Sequence, residues 1–223
     1  TQAAFFDYDK DGDLDCYLLN HAVHNTRSYD RVNTRMLKDN EAGDYLYRND
    51  GSKFKDISAE SGIYQAAMGY GLGISVADLN NDGWIDVFTP GGIDSAMFKD
   101  RNRGIGFSFL IWDSTSNSFK DMNLLNNKNL EVIISPFKVV PVYLNSDDYI
   151  DMVIFPSDDD KAPIKLIVSD GKGRYDYSEI ITNENDTYGN TIVPGGKPSI
   201  TKYSGDVADL NEDGIPDIYI PAN

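Results

Sequence analysis

The residues able to do chemistry are gathered in short acidic stretches. Asp78-Leu79-Asn80-Asn81-Asp82-Gly83-Trp84-Ile85-Asp86 places oxygen-bearing side chains at positions 1, 3, 5 and 9 and a Gly at position 6. Asp7-Tyr8-Asp9-Lys10-Asp11-Gly12-Asp13-Leu14-Asp15 and Asp209-Leu210-Asn211-Glu212-Asp213-Gly214-Ile215-Pro216-Asp217 repeat the pattern. Alternate residues of a tight loop turn inward, so positions 1, 3 and 5 converge on one point. Carboxylates gathered that closely repel one another unless a cation sits among them. Calcium suits the donors, because it takes about six to eight oxygens in irregular geometry, whereas magnesium demands a strict octahedron and keeps its waters. Zinc and iron are disfavoured, since no His or Cys lies inside a loop.

Gly at position 6 supplies a positive φ at no steric cost. Position 7 would offer its backbone carbonyl, which lets Asp13, Trp84 and Ile215 differ there. The expected ligands are Asp7, Asp9, Asp11, Asp13 and Asp15 in the first loop and Asp78, Asn80, Asp82, Trp84 and Asp86 in the second. Asp209, Asn211, Asp213, Ile215 and Asp217 form the last. A worn copy, Tyr143-Leu144-Asn145-Ser146-Asp147-Asp148-Tyr149-Ile150-Asp151, has Tyr143 for the first ligand and Asp148 for the Gly. It is expected to keep its hairpin and to bind calcium weakly or not at all, through Asn145, Asp147 and Asp151. The cofactor expectation is therefore Ca2+ at about three sites, with a weak fourth.

An EF-hand would need Glu at position 12 and flanking helices. Position 12 is instead Leu18, Thr89 and Ile220, and the residues after position 9 are apolar and strand-like. These are calcium loops at hairpin tips.

The elements that position them repeat with the loops. First positions fall at 7, 78, 143 and 209 in a chain of 223 residues, a spacing of 71, 65 and 66. Repeats on this scale mean propellers, solenoids or arrays. Each unit reads as an apolar strand into the loop, a second strand out of it, a third strand, a polar turn and an outer strand. The turns Arg48-Asn49-Asp50-Gly51, Asp113-Ser114-Thr115-Ser116-Asn117 and Ser169-Asp170-Gly171-Lys172-Gly173 are hairpin signals. Antiparallel four-stranded units in tandem are blades of an all-β propeller. The units run over residues 1–66, 67–135, 136–198 and 199–223, the last one short. That makes about three and a half blades within a single propeller region, expected as an arc or part of a larger ring.

Asp-x-Asn-x-Asp-Gly-x-x-Asp followed by an apolar strand, then Leu46-Tyr47-Arg48-Asn49-Asp50-Gly51-x-x-Phe54-x-Asp56-Ile57-x-x-x-x-Gly62-Ile63, resembles the FG-GAP/VCBS repeat family. That family includes the propeller of integrin α subunits and many bacterial surface proteins. The resemblance implies a propeller fold and bound calcium. It leaves activity open, because the family holds binders and enzymes alike.

The net charge is −16, and fifteen of the 36 acidic residues lie in the four loops. An acidic surface argues against nucleic acid and anionic membranes. No apolar run is long enough to cross a bilayer. The chain opens without an initiator Met and reads as a processed or excised piece. The single cysteine, Cys16, reads as a small buried hydrophobe. Calcium sites of this type fill near millimolar calcium, which places the protein outside the cytoplasm: extracellular, at the cell surface or periplasmic.

Basic residues concentrate in an insertion after the second strand of the first unit, Asn20 to Asp44. His21, His24, Arg27, Tyr29, Arg31 and Arg35 are the candidate ligand-binding residues, with Lys38 beside them. They suit a carboxylated glycan or an acidic protein partner, Arg giving bidentate contacts. The alternative is a loop pinned to the scaffold by pairing with nearby acids. Trp84 and Trp112 fit either sugar stacking or packing between blades. The leading expectation is a non-catalytic, calcium-stabilised binding or adhesion module. The alternatives are a lyase-like carbohydrate-active enzyme on a propeller and a scaffold completed by a partner chain.

Overall fold

The computed structural model describes residues 1–21, 38–63, 71–90, 107–122, 136–156, 164–171, 174–180 and 205–220. Apolar residues on either side of each acidic loop build a hairpin. β1 (Gln2–Phe6) and β2 (Asp15–Leu19) pair antiparallel, Phe5 opposite Cys16. β3 (Tyr45–Asn49) and β4 (Phe54–Asp56) extend them into sheet 1. Sheet 2 contains β5 (Ser75–Ala77), β6 (Asp86–Pro90), β7 (Phe107–Asp113) and β8 (Ser118–Asp121). Sheet 3 contains β9 (Pro136–Val142), β10 (Asp151–Pro156), β11 (Ile164–Ser169) and β12 (Tyr175–Ile180). β13 (Asp206–Ala208) and β14 (Asp217–Tyr219) form a two-stranded hairpin.

Each four-stranded sheet is a plain antiparallel meander in chain order, and all fourteen segments expected as strands are strands. The protein is all-β, with no helix among the described residues, and its sheets resemble propeller blades. Among the described residues no helix is long and apolar enough to cross a membrane. The polar turns behave as their residues dictate: Gly51, Asn117 and Gly171 take positive φ values of 76°, 53° and 65°.

Side chains alternate between the two faces of a strand, and this alternation builds the stack. Counting from the first residue of each loop, position 10 is Cys16, Val87, Met152 and Ile218, and position 11 is Tyr17, Phe88, Val153 and Tyr219. Tyr17 and Val87 share one hydrophobic cluster, Phe88 and Met152 a second, Val153 and Ile218 a third. Position 11 of each unit therefore meets position 10 of the next. Aromatic rings fill the seams. Trp112 lies edge-on to Phe119 at 4.9 Å and to Tyr8 at 5.5 Å, and Phe109 contacts Phe88 at 5.6 Å and Tyr175 at 5.7 Å. Each such fully buried side chain contributes about 1.5–3 kcal/mol. Trp112 is fully buried in the first seam and Trp84 packs against it, so both take the packing role rather than standing clear as sugar platforms.

A backbone hydrogen bond ties sheet 1 to sheet 2. Phe119 N–H donates to Ser61 O at 2.8 Å, tying the segment after β4 to β8. Gly62 sits beside that bond with φ +79°, and a Cβ there would lie 2.8 Å from Phe119 O. Gly62→Ala therefore combines left-handed strain with a clash against backbone. It should lower unfolding free energy by about 1–3 kcal/mol in urea titration, with the m-value unchanged.

Candidate metal centre

Loop 1 joins β1 to β2, and its backbone enters the left-handed region at Lys10 (φ 62°) and Gly12 (φ 98°). The second and last loops do so at Asn81 (58°) and Gly83 (87°), and at Glu212 (61°) and Gly214 (85°). Gly stands at position 6 for this reason. Position 4 adopts the same backbone with ordinary side chains, at a cost of about 1–2 kcal/mol. The residue pattern did not disclose that second requirement; Asn81 was its one trace, since Asn tolerates the region better than Lys or Glu.

The position 1 carboxylate holds this shape. Asp7 accepts from Asp11 N–H and Gly12 N–H, both at 3.1 Å, one on each oxygen. Asp78 accepts from Asp82 N–H at 3.0 Å and Gly83 N–H at 2.7 Å. Asp209 accepts from Asp213 N–H at 3.1 Å and Gly214 N–H at 2.8 Å. Positions 3 and 5 add smaller turns. Asn80 and Asn211 accept from the N–H groups of Asp82 and Asp213. Asp11, Asp82 and Asp213 accept from the N–H groups of Asp13, Trp84 and Ile215. Each of these oxygens spends one lone pair on backbone and keeps another for a cation.

Position 9 reaches further. Asp15 Oδ2 accepts from Tyr8 N–H and Oδ1 from Asn49 N–H on β3, both at 2.9 Å. Asp86 does the same with Leu79 and with Trp112 on β7, at 2.8 and 2.9 Å. Asp151 does it with Leu144 and with Ser169 on β11, both at 2.9 Å. All three carboxylates are fully buried. Asp217 keeps the near half of the clamp, accepting from Leu210 N–H at 2.9 Å. This closing Asp, expected as a ligand, is thus also the tie between hairpin tip and third strand.

Loop 1 brings ligand oxygens of Asp7, Asp9 and Asp15 within 4.8 Å of one another. Asp9 Oδ1 and Asp13 Oδ1 are buried without any donor. Buried acceptors without partners are costly, and a hard cation would supply what they lack. The donor set is all oxygen. The residues therefore fit calcium, with Asp13 adding a side chain where the last loop has Ile215. The charges strain against one another meanwhile. Burial raises the Asp13 pKa, and the charges of Asp11, Asp9, Asp7 and Asp50 raise it further. Burial raises that of Asp15 against its two amide donors. Burial lifts Asp86 to about 7, helped by Asp82 and Asp78 and opposed by its backbone donors.

The third loop differs as its residues dictate. Tyr143 is exposed and supplies no carboxylate, and neither Ser146 nor Asp148 takes a positive φ. Asn145 and Asp147 still make their turns, accepting from Asp147 N–H at 2.8 Å and Tyr149 N–H at 3.0 Å. The hairpin survives, with Asp151 opposite Val142.

At the other end of sheet 1, the insertion has a clamped neck. Asn20 N–H donates to Asp44 Oδ1 at 3.0 Å, Tyr17 O–H to Asp44 Oδ2 at 2.9 Å, and Asn20 Nδ2 to Gly43 O at 2.8 Å. His21 and Lys38 are exposed beside it. His24, Arg27, Tyr29, Arg31 and Arg35 lie outside the described residues. Asp44 was not singled out from the sequence, because nothing local marks it as buried.

Residues 7–89 match the family model of the FG-GAP-like repeat. This stretch is similar to an FG-GAP-like repeat. It runs from loop 1 through sheet 1 and the second loop into β6. No curated protein matches the chain. Beyond the FG-GAP-like segment, the last loop repeats its hydrogen bonds and sheet 3 repeats its strand order.

Two predictions follow from this geometry. Asp151→Asn presents an NH2 group to one of two inward-pointing N–H donors, so stability should fall by about 1–3 kcal/mol in urea titration. Loop 3 lacks the first ligand, so the number of calcium ions bound, read by calorimetric titration, should not change.

Burial raises the Asp44 pKa to about 6, against the lowering effect of its Asn20 and Tyr17 donors. A raised carboxyl contributes stability that is full below its unfolded value and is lost as pH rises through the folded one. Asp44→Asn keeps an acceptor for Asn20 and removes the charge. Its unfolding free energy in urea titration should exceed that of wild type by a margin that grows from pH 4 to pH 7, up to about 3 kcal/mol.

Proposed function

We propose that this chain is a calcium-stabilised, non-catalytic binding module of propeller type that works outside the cytoplasm. The carrying observation is loop 1, where Asp7, Asp9 and Asp15 converge while buried oxygens of Asp9 and Asp13 lack donors. The second and last loops share its backbone and its position 1 hydrogen bonds, which supports about three sites. Asp7, Asp9, Asp11, Asp13 and Asp15 would hold the ion in loop 1, and the matching residues of the other two loops would do so there. Calcium, when bound, offsets the crowded carboxylates and fixes each hairpin tip. Sites of this class fill at millimolar calcium, hence the location.

The loops joining first and second strands lie at one end of an antiparallel sheet, and the connection from β2 to β3 leaves from the other. The insertion from Asn20 to Asp44 is that connection, and its neck is pinned by Asp44. A loop held at its base on a rigid sheet is where such scaffolds carry recognition. Its Arg27, Arg31 and Arg35 stand out in an acidic protein and suit carboxylated glycans or acidic protein surfaces.

Calorimetry in millimolar calcium against excess chelator tests the first half. Three sites of weak extracellular affinity should raise the melting temperature by about 10 °C or more. Asp9→Ala should remove one ion from the stoichiometry. An identical melt in chelator would sink the calcium reading. Glycan-array retention by wild type, lost in the Arg27→Ala, Arg31→Ala, Arg35→Ala triple variant, tests the second. Release of cleaved product would instead make the protein an enzyme.

A further inference from the structure

Loop 1 is not equivalent to the second and last loops. It carries Asp at every odd position, whereas the second loop has Asn80 and Trp84 at positions 3 and 7, and the last has Asn211 and Ile215. The exchange changes what each loop can satisfy on its own. Asn80 Nδ2 donates to Asp82 Oδ2 at 3.0 Å, and Asn211 Nδ2 donates to Asp213 Oδ2 at 3.1 Å. Asp9 cannot copy this, because an ionised carboxylate only accepts. Its Oδ1 and that of Asp13 are buried without a donor, and no buried side-chain oxygen of the other two loops is left so. Among the described residues, Asp7, Asp9 and Asp15 are also the one group of three carboxylates with ligand oxygens within 4.8 Å of one another. Lys10, the loop's own cation, does not cancel the excess. Its ammonium reaches the second loop, 4.0 Å from the centre of the Trp84 ring and 3.5 Å from where a Cβ on Gly83 would lie. A positive charge placed there lowers the pull of the second loop on a cation.

Calcium affinity is set by the number of charged ligands and the rigidity of the site. We propose that loop 1 is a tight calcium site that stays filled, while the second and last loops fill and empty with the surrounding calcium concentration. This rests on the calcium reading above and divides its sites into one tight and two weak. The asymmetry has a structural consequence. Asp15 ties loop 1 to β3 through Asn49 N–H, so a permanent ion holds the tip of sheet 1 at low calcium. The second and last loops close with their own Asn amides instead, and they tolerate an empty state that loop 1 does not. The chain then answers to calcium in two stages, the later one through the tips of sheet 2 and of the β13–β14 hairpin.

Calorimetric titration of calcium into the chelator-stripped chain tests it, with bound metal counted after dialysis against about 20 µM free calcium, between the tight and weak ranges. Wild type should show one site at least about tenfold tighter than the other two and should keep about one ion per chain after dialysis. The double variant Asp9→Asn, Asp13→Ile gives loop 1 the position 3 and 7 side chains of the last loop. It should lose the tight class and still bind as many ions at saturation. Asn80→Asp approaches from the other side and carries the test should the double variant melt early: it should tighten one weak site by about tenfold. Sites of one common affinity, a tight class that survives the double variant, or an unmoved titration in Asn80→Asp would overturn this proposal and leave the calcium reading standing. A chain that binds no calcium would overturn both.

Discussion

A carboxylate taken out of water is costly unless both of its oxygens find donors, and Asp15, Asp86 and Asp151 meet that demand in one way. One oxygen takes the N–H of the loop's second residue, and the other takes an N–H on the third strand. A single side chain thereby joins hairpin tip to sheet. The loop cannot swing, because moving it would strand a buried charge. The last unit shows the dependence. No third strand is described there, and Asp217 keeps one donor and is half-buried rather than fully buried.

With the tips fixed, strand alternation does the rest. Residues one apart point to opposite faces, so each sheet offers one apolar face to the unit before it and another to the unit after it. The seams then differ in filling but not in logic. Trp112, Phe119 and Tyr8 fill the first, and Phe88, Phe109 and Tyr175 the second. Valine, isoleucine and Phe155 fill the third, where a two-stranded hairpin has less surface to offer. Lys10 bridges the first two loops from above, with its ammonium 4.0 Å from the centre of the Trp84 ring. It brings a positive charge to the edge of an acidic pair of tips.

The two ends of sheet 1 solve opposite electrostatic problems. The loop end concentrates carboxylates and leaves oxygens of Asp9 and Asp13 without donors, where a bound cation would relieve both the repulsion and the missing partners. The insertion end buries one carboxylate, Asp44, and feeds it from Asn20 and Tyr17. There burial raises the pKa to about 6, and the two neutral donors offset that only in part.

The sequence by itself determined what local chemistry and period determine. Strands followed from apolar runs beside the loops, turns from Gly and Asn, and ligand candidates from the alternation of Asp and Asn. The altered backbone of the third loop followed from Tyr143 and Asp148. Only the tertiary structure decided which partners those residues take. The second role of Asp15, Asp86 and Asp151 rests on amides of Asn49, Trp112 and Ser169, which lie 34, 26 and 18 residues away. The burial of Asp44 needs β2 and the base of the insertion to meet. The left-handed backbone at Lys10 and Glu212 is imposed by a closed ring of hydrogen bonds rather than by those residues' own preferences. Spacing along a chain encodes which faces and loops exist, but the donors that satisfy a buried charge are supplied by strands distant in sequence, and these become neighbours only when the sheet closes around it.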